Sequence, residues 1–330
     1  MSRATITDLA RVAGVSVTTV SHAFSGKRHV DPETSRRIKA LAAEIGYHPS
    51  SMAQALRRGR TGTIALASSM PFAIAAGPSR LGFMMEIAAS AAMSALTRDL
   101  ALCLIPPHPA ITGHGAAGFD GVILVEPMRD DPLIAHFDKR GIPIVSIGAV
   151  PGRPEIPAVD LRSHETAELL LGHLAAQGAG RIASLIGATP RTSQIEAEAA
   201  YRNLPAAQRA GLWRLNEAGG EETAYRESLT LLREHPDIDG IFAAIDAFAS
   251  GAIRAAQQVG RRIPADLRLV TRYDGLRAKL SVPPMTAVDL NLPAIAEDAV
   301  SLLFDRIEGT DRSVRAALPD LVIRASSACA

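Results

Sequence analysis

Residues 5–24 read T-I-T-D-L-A-R-V-A-G-V-S-V-T-T-V-S-H-A-F, and this stretch decides the fold of the first part of the chain. Thr5 and Asp8 have the spacing of a helix-initiating capping box, and the apolar residues that follow recur at helical spacing. Gly14 can form a tight turn, and Ser16 can cap a second helix that starts directly after it. The pattern predicts a helix-turn-helix.

The second predicted helix can turn Val20 and Phe24 toward the interior. Its other side chains are small and polar and carry no negative charge, which suits the major groove of DNA. The residues on this groove-facing side are Val17, Thr18, Ser21 and His22.

Charge is distributed unevenly along the chain. The first sixty residues contain ten Lys or Arg and four Asp or Glu, a net charge of +6, whereas the whole chain carries +1 and the remainder therefore −5. A basic head on a mildly acidic body is the asymmetry expected of a nucleic-acid-binding protein.

A length of 330 residues and a hydrophobic content of 47% indicate two or three globular domains.

Two further segments complete the head. Asp31-Pro32-Glu33 begins a third helix, with a cap, a proline in the first turn and an acid, and Gly46 ends it. The segment 50–58 has helical propensity and a basic end, but it is too short for a helix that is stable alone in water. We expect it to need a partner in order to fold.

The first sixty residues resemble the lactose-repressor (LacI/GalR) family of bacterial transcription regulators. The matching strings are T-I-T-D-L-A, A-G-V-S-V-T-T-V-S, V-D-P-E-T-S-R-R-I, L-A-A-E-I-G-Y-H-P and S-M-A-Q-A-L-R-R. The resemblance implies that the bases are read by Val17, Thr18 and His22. It implies phosphate contacts from Thr5, Ser16, Thr19, Ser21 and His29. It also implies that the hinge segment enters the minor groove with Ala53 and Leu56, where an apolar wedge bends the duplex.

His22 departs from the family pattern, which most often has arginine at this position. Arginine can hold guanine with two hydrogen bonds, whereas histidine offers a single donor or acceptor to a base edge. We therefore expect an operator sequence that differs from those of the relatives.

The body, from Thr63 onward, alternates short apolar runs with longer segments of helical spacing. We predict strands in the apolar runs 64–67, 100–105, 122–125, 144–147, 182–186, 241–244 and 267–270. We predict helices near 80–98, 132–140, 163–177, 221–234, 246–259 and 294–308. This alternation predicts an α/β body with parallel sheets covered on both faces, in two units.

Looser matches extend the resemblance into the body, and they include D-G-V-I-L-V, V-D-L-R-S-H-E-T-A, G-I-F-A-A-I-D and R-Y-D-G. They imply a body like the periplasmic sugar-binding proteins, with two α/β subdomains beside a ligand cleft and chain crossings near residues 160, 290 and 320. The implied domains are a helix-turn-helix domain 1–49, a hinge helix and linker 50–61, and an effector-binding and dimerisation body 62–330. The implied subdomains of the body are an N-subdomain, 62–160 and 290–320, and a C-subdomain, 161–289 and 321–330.

The resemblance implies that the effector cleft is lined by the segment 69–80, by residues near Gln194 and Ala197, and by Asp246 and Asp274. Within and beside these positions, Met70, Phe72 and Arg272 depart from the family pattern and are further candidate effector-binding residues. Sugar-binding members of the family commonly have arginine where this chain has Ala197, and Arg272 stands where glycine is usual. We expect an effector other than a neutral sugar bound in the usual way, with Arg272 replacing the missing arginine and Phe72 or Met70 adding apolar contact. Three alternatives stay open: that Phe72 is a core residue, that Arg272 is solvated, and that Asp246 caps the helix that follows it.

Enzymatic signals are weak. The motif G-x-G-x-x-G at 113–118 leads into a strand rather than a helix, so a surface turn is favoured over a dinucleotide site. His108 and His114 lack further ligands at metal-binding spacing. We expect the protein to have no cofactor and no enzymatic activity. The alternative functions are those of a nicotinamide-dependent enzyme and of a solute receptor without a regulatory role.

The implied mechanism is a population shift between two body conformations that changes operator affinity. We expect a cytoplasmic homodimer on a pseudo-palindromic, double-stranded operator, acting as a repressor switched by a small-molecule effector. The sequence has no apolar run of membrane-spanning length and no export signal, and its two cysteines fit a reducing compartment.

Overall fold

The computed structural model describes residues 4–25, 28–47, 60–75, 82–105 and 118–328. The chain divides into two units between Thr61 and Gly62, a helical head and an α/β body. No helix in the described ranges is long and apolar enough to cross a membrane.

The head contains α1 (Ile6–Ala13), α2 (Val17–Ser25) and α3 (Pro32–Glu44). The predicted capping box is present at the start of α1. The hydroxyl of Thr5 accepts a hydrogen bond from the Asp8 N–H at 3.3 Å, and the Thr5 N–H donates to the Asp8 carboxylate at 3.0 Å. Gly14 ends this helix with φ 64, a left-handed conformation that favours glycine.

The three helices of the head pack around a small hydrophobic core. Leu9, Val20 and Ile38 have no exposed surface, and each comes from a different helix. The rings of Phe24 and Tyr47 meet edge to face with their centroids 5.9 Å apart. The head is therefore a packed helix-turn-helix with a third helix across it.

The body strands, in chain order, are β1 (Thr63–Ala67), β2 (Ala101–Ile105), β3 (Gly121–Val125), β4 (Ile144–Ile147), β5 (Ala158–Asp160), β6 (Ile182–Gly187), β7 (Arg209–Leu215), β8 (Gly240–Ala243), β9 (Arg268–Thr271), β10 (Ala287–Asp289), β11 (Val314–Arg315) and β12 (Asp320–Val322). The body helices are α4 (Phe72–Ala75), α5 (Phe83–Leu96), α6 (Pro132–Asp138), α7 (Ser163–Ala176), α8 (Thr192–Asn203), α9 (Gly220–Glu234), α10 (Asp246–Gln258), α11 (Leu276–Leu280) and α12 (Leu292–Ile307).

Two parallel sheets form the body. The first has the strand order β11-β5-β4-β3-β1-β2 and the second β7-β6-β8-β9, while β10 and β12 form an antiparallel pair. Alternate residues of the first sheet enter different cores. Ile64 and Leu66 join the large core with α5 and α12, whereas Ala65 and Ala67 pack in a second core with Phe137 of α6. Helices therefore cover both faces of this sheet, as the hydrophobic runs predict.

The chain passes between the two sheets at three places. It leaves the first sheet between Asp160 and α7, returns between β10 and α12, and leaves again between β11 and β12. Arg162 and Asn291 adopt left-handed conformations at the first two passages, with φ 54 and 52. The passages join the two subdomains beside the cleft described below.

Each apolar run that was predicted to be a strand overlaps a strand of the structure. The helices α4, α8 and α11 and the strands β5, β7, β10, β11 and β12 were not predicted from the sequence. Most of β7 is only half-buried, so its sequence lacks a continuous apolar run. The strands β5, β10, β11 and β12 have two or three residues each, too few for a periodic signal.

Candidate DNA-reading face and effector cleft

The outer face of α2 carries the residues predicted to read bases. Val17 is 43% exposed, Thr18 is exposed, and His22 is half-buried in the last turn. The first turn of α2 contains no acid. This face therefore presents a methyl-bearing and polar surface without negative charge, which fits the edges of base pairs.

Of the predicted phosphate-contacting residues, Thr5, Ser16 and Thr19 lie at helix starts, Ser21 lies within α2, and His29 lies in the loop before α3. Ser16 accepts a hydrogen bond from the Thr19 N–H at 3.0 Å, and the two hydroxyls lie 2.8 Å apart. The Thr5 hydroxyl lies 2.7 Å from the Asp8 carboxylate, and this pairing lowers the pKa of Asp8. Ser21 is half-buried and His29 exposed. Ala53 and Leu56 lie outside the described residues, as do His108, His114 and most of the 113–118 motif.

A cleft between the two body sheets is organised around Glu126, which directly follows β3. Its side chain is 4% exposed, and its φ of 48 is left-handed, which is uncommon for a residue other than glycine. The carboxylate accepts hydrogen bonds from Ser193 and, at 3.2 Å, from Nη2 of Arg272. The Glu126 carbonyl accepts a hydrogen bond from Arg191. One residue of the first sheet thus holds three from the second subdomain.

Backbone contacts reinforce this closure. Met128 and Arg191 form an antiparallel bridge, and the Arg129 N–H donates to the Pro190 carbonyl at 3.0 Å. Across the cleft, the Tyr273 hydroxyl donates to Glu86 of α5. Burial, together with this hydrogen bond, raises the pKa of Tyr273. The two subdomains are therefore joined by side chains and backbone on both sides of the cleft.

Three buried polar atoms in the described part of the cleft have no hydrogen-bond partner. They are Nε of Arg191, Nε of Arg272 and Oε2 of Glu217. Oε2 of Glu217 lies 3.7 Å from Nε of Arg191, too far for a hydrogen bond. Burial raises the pKa of Glu217, although the positive charge of Arg191 acts in the opposite direction. Unpartnered buried donors and acceptors are costly in proteins and often mark a ligand site.

The three residues that carry these atoms line a cavity of about 50 Å³. A drug-sized ligand needs roughly 300 Å³ or more, whereas one water needs only about 10–15 Å³. The cavity walls also include Met70, Ile74, Phe83 and Tyr273. The cleft is therefore closed on its own side chains in this conformation, with an apolar wall beside a charged one.

Four of the predicted effector residues line this cavity: Met70, Gln194, Asp246 and Arg272. Gln194 accepts a hydrogen bond from the Gly187 N–H at 2.7 Å. Asp246 is the first residue of α10, the N-cap being Ile245. Burial raises the pKa of Asp246, against the effect of Arg277, whose Nε lies 3.3 Å from the carboxylate. Arg272 is 8% exposed, so the alternative that it is solvated is wrong.

The structure does not bring the other three predicted residues to the cavity wall. Phe72 is 68% exposed at the start of α4, so it is not a core residue either. Ala197 is buried within the core on the inner side of α8. Asp274 is held by both Nη atoms of Arg324, one of them at 2.9 Å, and its side chain is 10% exposed. A structural ion pair accounts for this carboxylate.

Comparison with known proteins agrees with both halves of the chain. Residues 5–50 match the model of bacterial regulatory proteins of the lacI family, and residues 171–327 match a periplasmic binding protein-like domain. The transcriptional regulator CelR of Thermobifida fusca is 31% identical, with 98% of each chain covered. This chain belongs to the lacI family of bacterial regulatory proteins.

Other lacI-family proteins are similar along nearly the whole chain. The HTH-type transcriptional repressor PurR of Erwinia tasmaniensis is 29% identical, covering 92% of this chain and 90% of that one. A solved CelR–cellobiose complex has a TM-score of 0.70 at 28% identity, covering 98% of this chain and 100% of that one. A lac repressor dimer bound to operator has a TM-score of 0.81 at 23% identity, covering 99% and 100%, and shows the shared fold.

Membership of the lacI family makes this chain a DNA-binding transcription regulator with an effector-responsive body, and not an enzyme. The predicted helix-turn-helix and the α/β body of the periplasmic-binding-protein type are confirmed. Glu126, Arg191 and Glu217, within the cleft of this lacI-family regulator, were not predicted from the sequence. Glu126 and Arg191 follow strands that were predicted, so the rule that α/β clefts form at the carboxyl ends of strands could have found them.

Proposed function

We propose that this regulator is a repressor whose affinity for a pseudo-palindromic operator is switched by a small, hydroxyl-rich effector bound in the cleft between the subdomains. The observation that carries the proposal is the set of unpartnered atoms at Arg191, Arg272 and Glu217, buried together beside an apolar wall. We place the protein in the cytoplasm, where its DNA is.

A hydroxyl group suits these atoms because it accepts one hydrogen bond and donates another. It can accept from the N–H of Arg191 or Arg272 and donate to Glu217. The cellobiose bound by CelR has this chemistry. Arginines at 191 and 272 would then hold the effector in place of an arginine at 197, and Met70 would supply apolar contact. Gln194 and Asp246 complete the proposed contact set; Phe72, Ala197 and Asp274 stay outside it.

The effector can enter only if the cleft opens, since the closed cavity is about 50 Å³. Opening must break the contacts of Glu126 with Arg272 and Ser193, and the effector must replace them. The ligand thereby has different contacts in the open and closed bodies, which is the requirement for shifting a conformational equilibrium.

The head reads DNA through the face of α2 in this proposal. Val17, Thr18 and His22 contact bases, and Thr5, Ser16, Thr19, Ser21 and His29 lie near phosphates. Ala53 and Leu56, in a hinge at 50–61, enter the minor groove when two copies meet on the operator. The body 62–330, with the subdomain limits given above, binds the effector and dimerises.

Dimerisation is supported by exposed apolar side chains that a monomer rarely carries in one place. Leu280 and Val282, at and just beyond the end of α11, are 74% and 76% exposed, and Leu276 is 38% exposed. The lac repressor that shares this fold is a dimer on its operator. We propose that the face around α11 contacts a second copy of the chain.

A thermal-shift screen of monosaccharides and disaccharides, with cellobiose included, tests the effector site. Each hit is then added to the protein on DNA selected from a random pool, and binding is followed by fluorescence anisotropy. We expect a hit that raises the melting temperature and changes DNA affinity, and loses both effects in R191M. R315M is the matched control, because Arg315 is 59% exposed on β11, the edge strand of the first sheet, and does not line the cavity. Hits that persist in R191M would place the ligand elsewhere.

A further inference from the structure

A groove of about 430 Å³ lies among α9, α10 and α11 on the outside of the body. Its apolar wall consists of Ile253, Leu276, Leu280 and Val282. Covering such side chains is favourable by about 25 cal/mol for each Å² of apolar surface removed from water. This groove contains the exposed face proposed above for the second copy.

The charged side chains beside the groove allow it to pair with the same surface of a second copy. Arg254, which lines the groove, is cationic and 46% exposed, and it lies 3.4 Å from the anionic Glu222, which is 60% exposed. A two-fold axis brings the same surface of each copy together, so a patch with both charges at its rim can pair with itself. This favours a second copy of the chain over a strongly acidic or basic partner.

Arg277 connects this groove to the effector cavity. Its Nε lies 3.3 Å from the carboxylate of Asp246, which lines the cavity, and its Nη1 donates to Glu221 of α9 at 2.8 Å. Glu221 in turn accepts a hydrogen bond from Arg254 at 3.2 Å. The Arg277 side chain is 13% exposed, so these contacts are well shielded from water.

Arg277 also anchors the helix that carries the groove leucines. The helix α11 spans only Leu276–Leu280, so Leu276 directly precedes Arg277 and Leu280 follows three residues later. A helix of five residues is not stable by itself and depends on tertiary contacts for its position. Asp246 and Glu221 supply two of those contacts through a single guanidinium.

We propose that Arg277 is a positioning residue that transmits the state of Asp246 in the effector cavity to the packing of α11 against a second copy. The inference rests on the proposed effector site and dimer face. An effector hydroxyl that donates to Asp246 competes with Arg277, loosens one anchor of α11, and shifts Leu276 and Leu280 at the interface.

A double-mutant cycle tests the proposal on the full-length protein without any effector or DNA. D246N removes the charge of Asp246 at nearly constant shape, and R277M removes the guanidinium. Sedimentation velocity over a dilution series gives the dimer dissociation constant of each variant. We expect D246N to raise this constant by about threefold or more in the wild-type background, within the range of coupling between contacting residues. In the R277M background, D246N should leave the constant unchanged.

The matched control is K279M. Lys279 lies on the same helix and is exposed, but it pairs with Asp274 at 3.6 Å and not with Asp246. D246N must keep its full effect in that background. Hydrogen–deuterium exchange of the backbone amides of α11 provides a second measurement. Exchange should be faster in D246N and in R277M than in the wild type, and no faster in the double variant than in R277M alone.

The proposal is overturned if D246N has the same effect with and without Arg277, or has no effect in either background. It is also overturned if the wild-type chain sediments as a monomer throughout. The proposed effector site is judged separately, by ligand-induced thermal shifts and their loss in R191M.

Discussion

Nη2 of Arg272 lies 3.2 Å from Oε1 of Glu126, so the residue that follows β9 contacts the residue that follows β3. Both side chains are buried, at 9% and 4% exposure. The contact joins the carboxyl ends of two separate parallel sheets, which is where open α/β folds bind their ligands. In the proposed function, closure of the cleft and binding of the effector therefore compete for Arg272.

Removing Arg272 should destabilise the body strongly. In R272M the buried carboxylate of Glu126 loses its cationic partner, and breaking a buried ion pair on one side costs about 3–5 kcal/mol. Urea unfolding followed by fluorescence of the single Trp213 measures the change in midpoint. R315M is the control, because the exposed ion pairs of Arg315 with Asp160 and Glu165 are each worth at most about 1 kcal/mol. Equal losses in both variants would contradict the role of the cleft pair.

His22 should set base preference and leave the fold of the head intact. Its side chain is half-buried on α2, and the head core is formed by other residues, among them Leu9, Val20 and Ile38. We expect H22A to select a different operator from a random DNA pool at an unchanged melting temperature. If H22A and the wild type preferred the same operator, the assignment of His22 to a base-reading position would be contradicted.

Asp274 should stabilise the body through its ion pair with Arg324. The two side chains form a bidentate pair that is largely shielded from water, so D274N and R324M should each lower the unfolding midpoint of the body. Since each single substitution breaks the same pair, the double variant should lose less than the sum of the two. Additive losses would show that the pair is not coupled and would return Asp274 to the list of ligand contacts.

His173 should make the body less stable in mild acid. Burial lowers the pKa of His173 below its ordinary value of 6.5, and its Nε2 lies 2.7 Å from the hydroxyl of Ser327. The unfolded chain therefore binds more protons than the folded body as pH falls below about 6.5, so stability decreases there. Melting temperatures measured between pH 5 and pH 7 should depend less on pH in H173Q, while H235Q, at an exposed histidine, should behave as wild type. A wild-type slope in H173Q would exclude this histidine as the cause.

Local signals were strong enough to predict most of the fold. The capping box of Thr5 and Asp8 and the turn at Gly14 depend on residues close in sequence, so the head could be read directly. The buried strands of the body are continuous apolar runs, such as β3. By contrast, β7 packs only part of its surface, and short strands such as β5 exist only because neighbouring strands pair with them.

The effector site was predicted less completely because it is made of residues that pair across the cleft. Asp246 was inferred from the resemblance to the family, and Arg272 from its departure from the glycine that is usual at that position. Glu126 directly follows a predicted strand, which marks a position at the cleft, but its burial depends on the approach of the two subdomains. The position of Glu217 depends on β7, which had not been predicted. Phe72 was chosen for its chemistry, but the short helix α4 leaves it exposed.

The most direct test of an effector-switched operator binder is the affinity for selected operator DNA, measured against salt with and without the effector found in the thermal-shift screen. We predict a steep, linear loss of log affinity with log salt concentration, since phosphate contacts release counterions. We also predict an effector-induced change of about 5–150-fold that disappears in R191M. An effector that binds the cleft and leaves DNA affinity unchanged at every salt concentration would contradict the account.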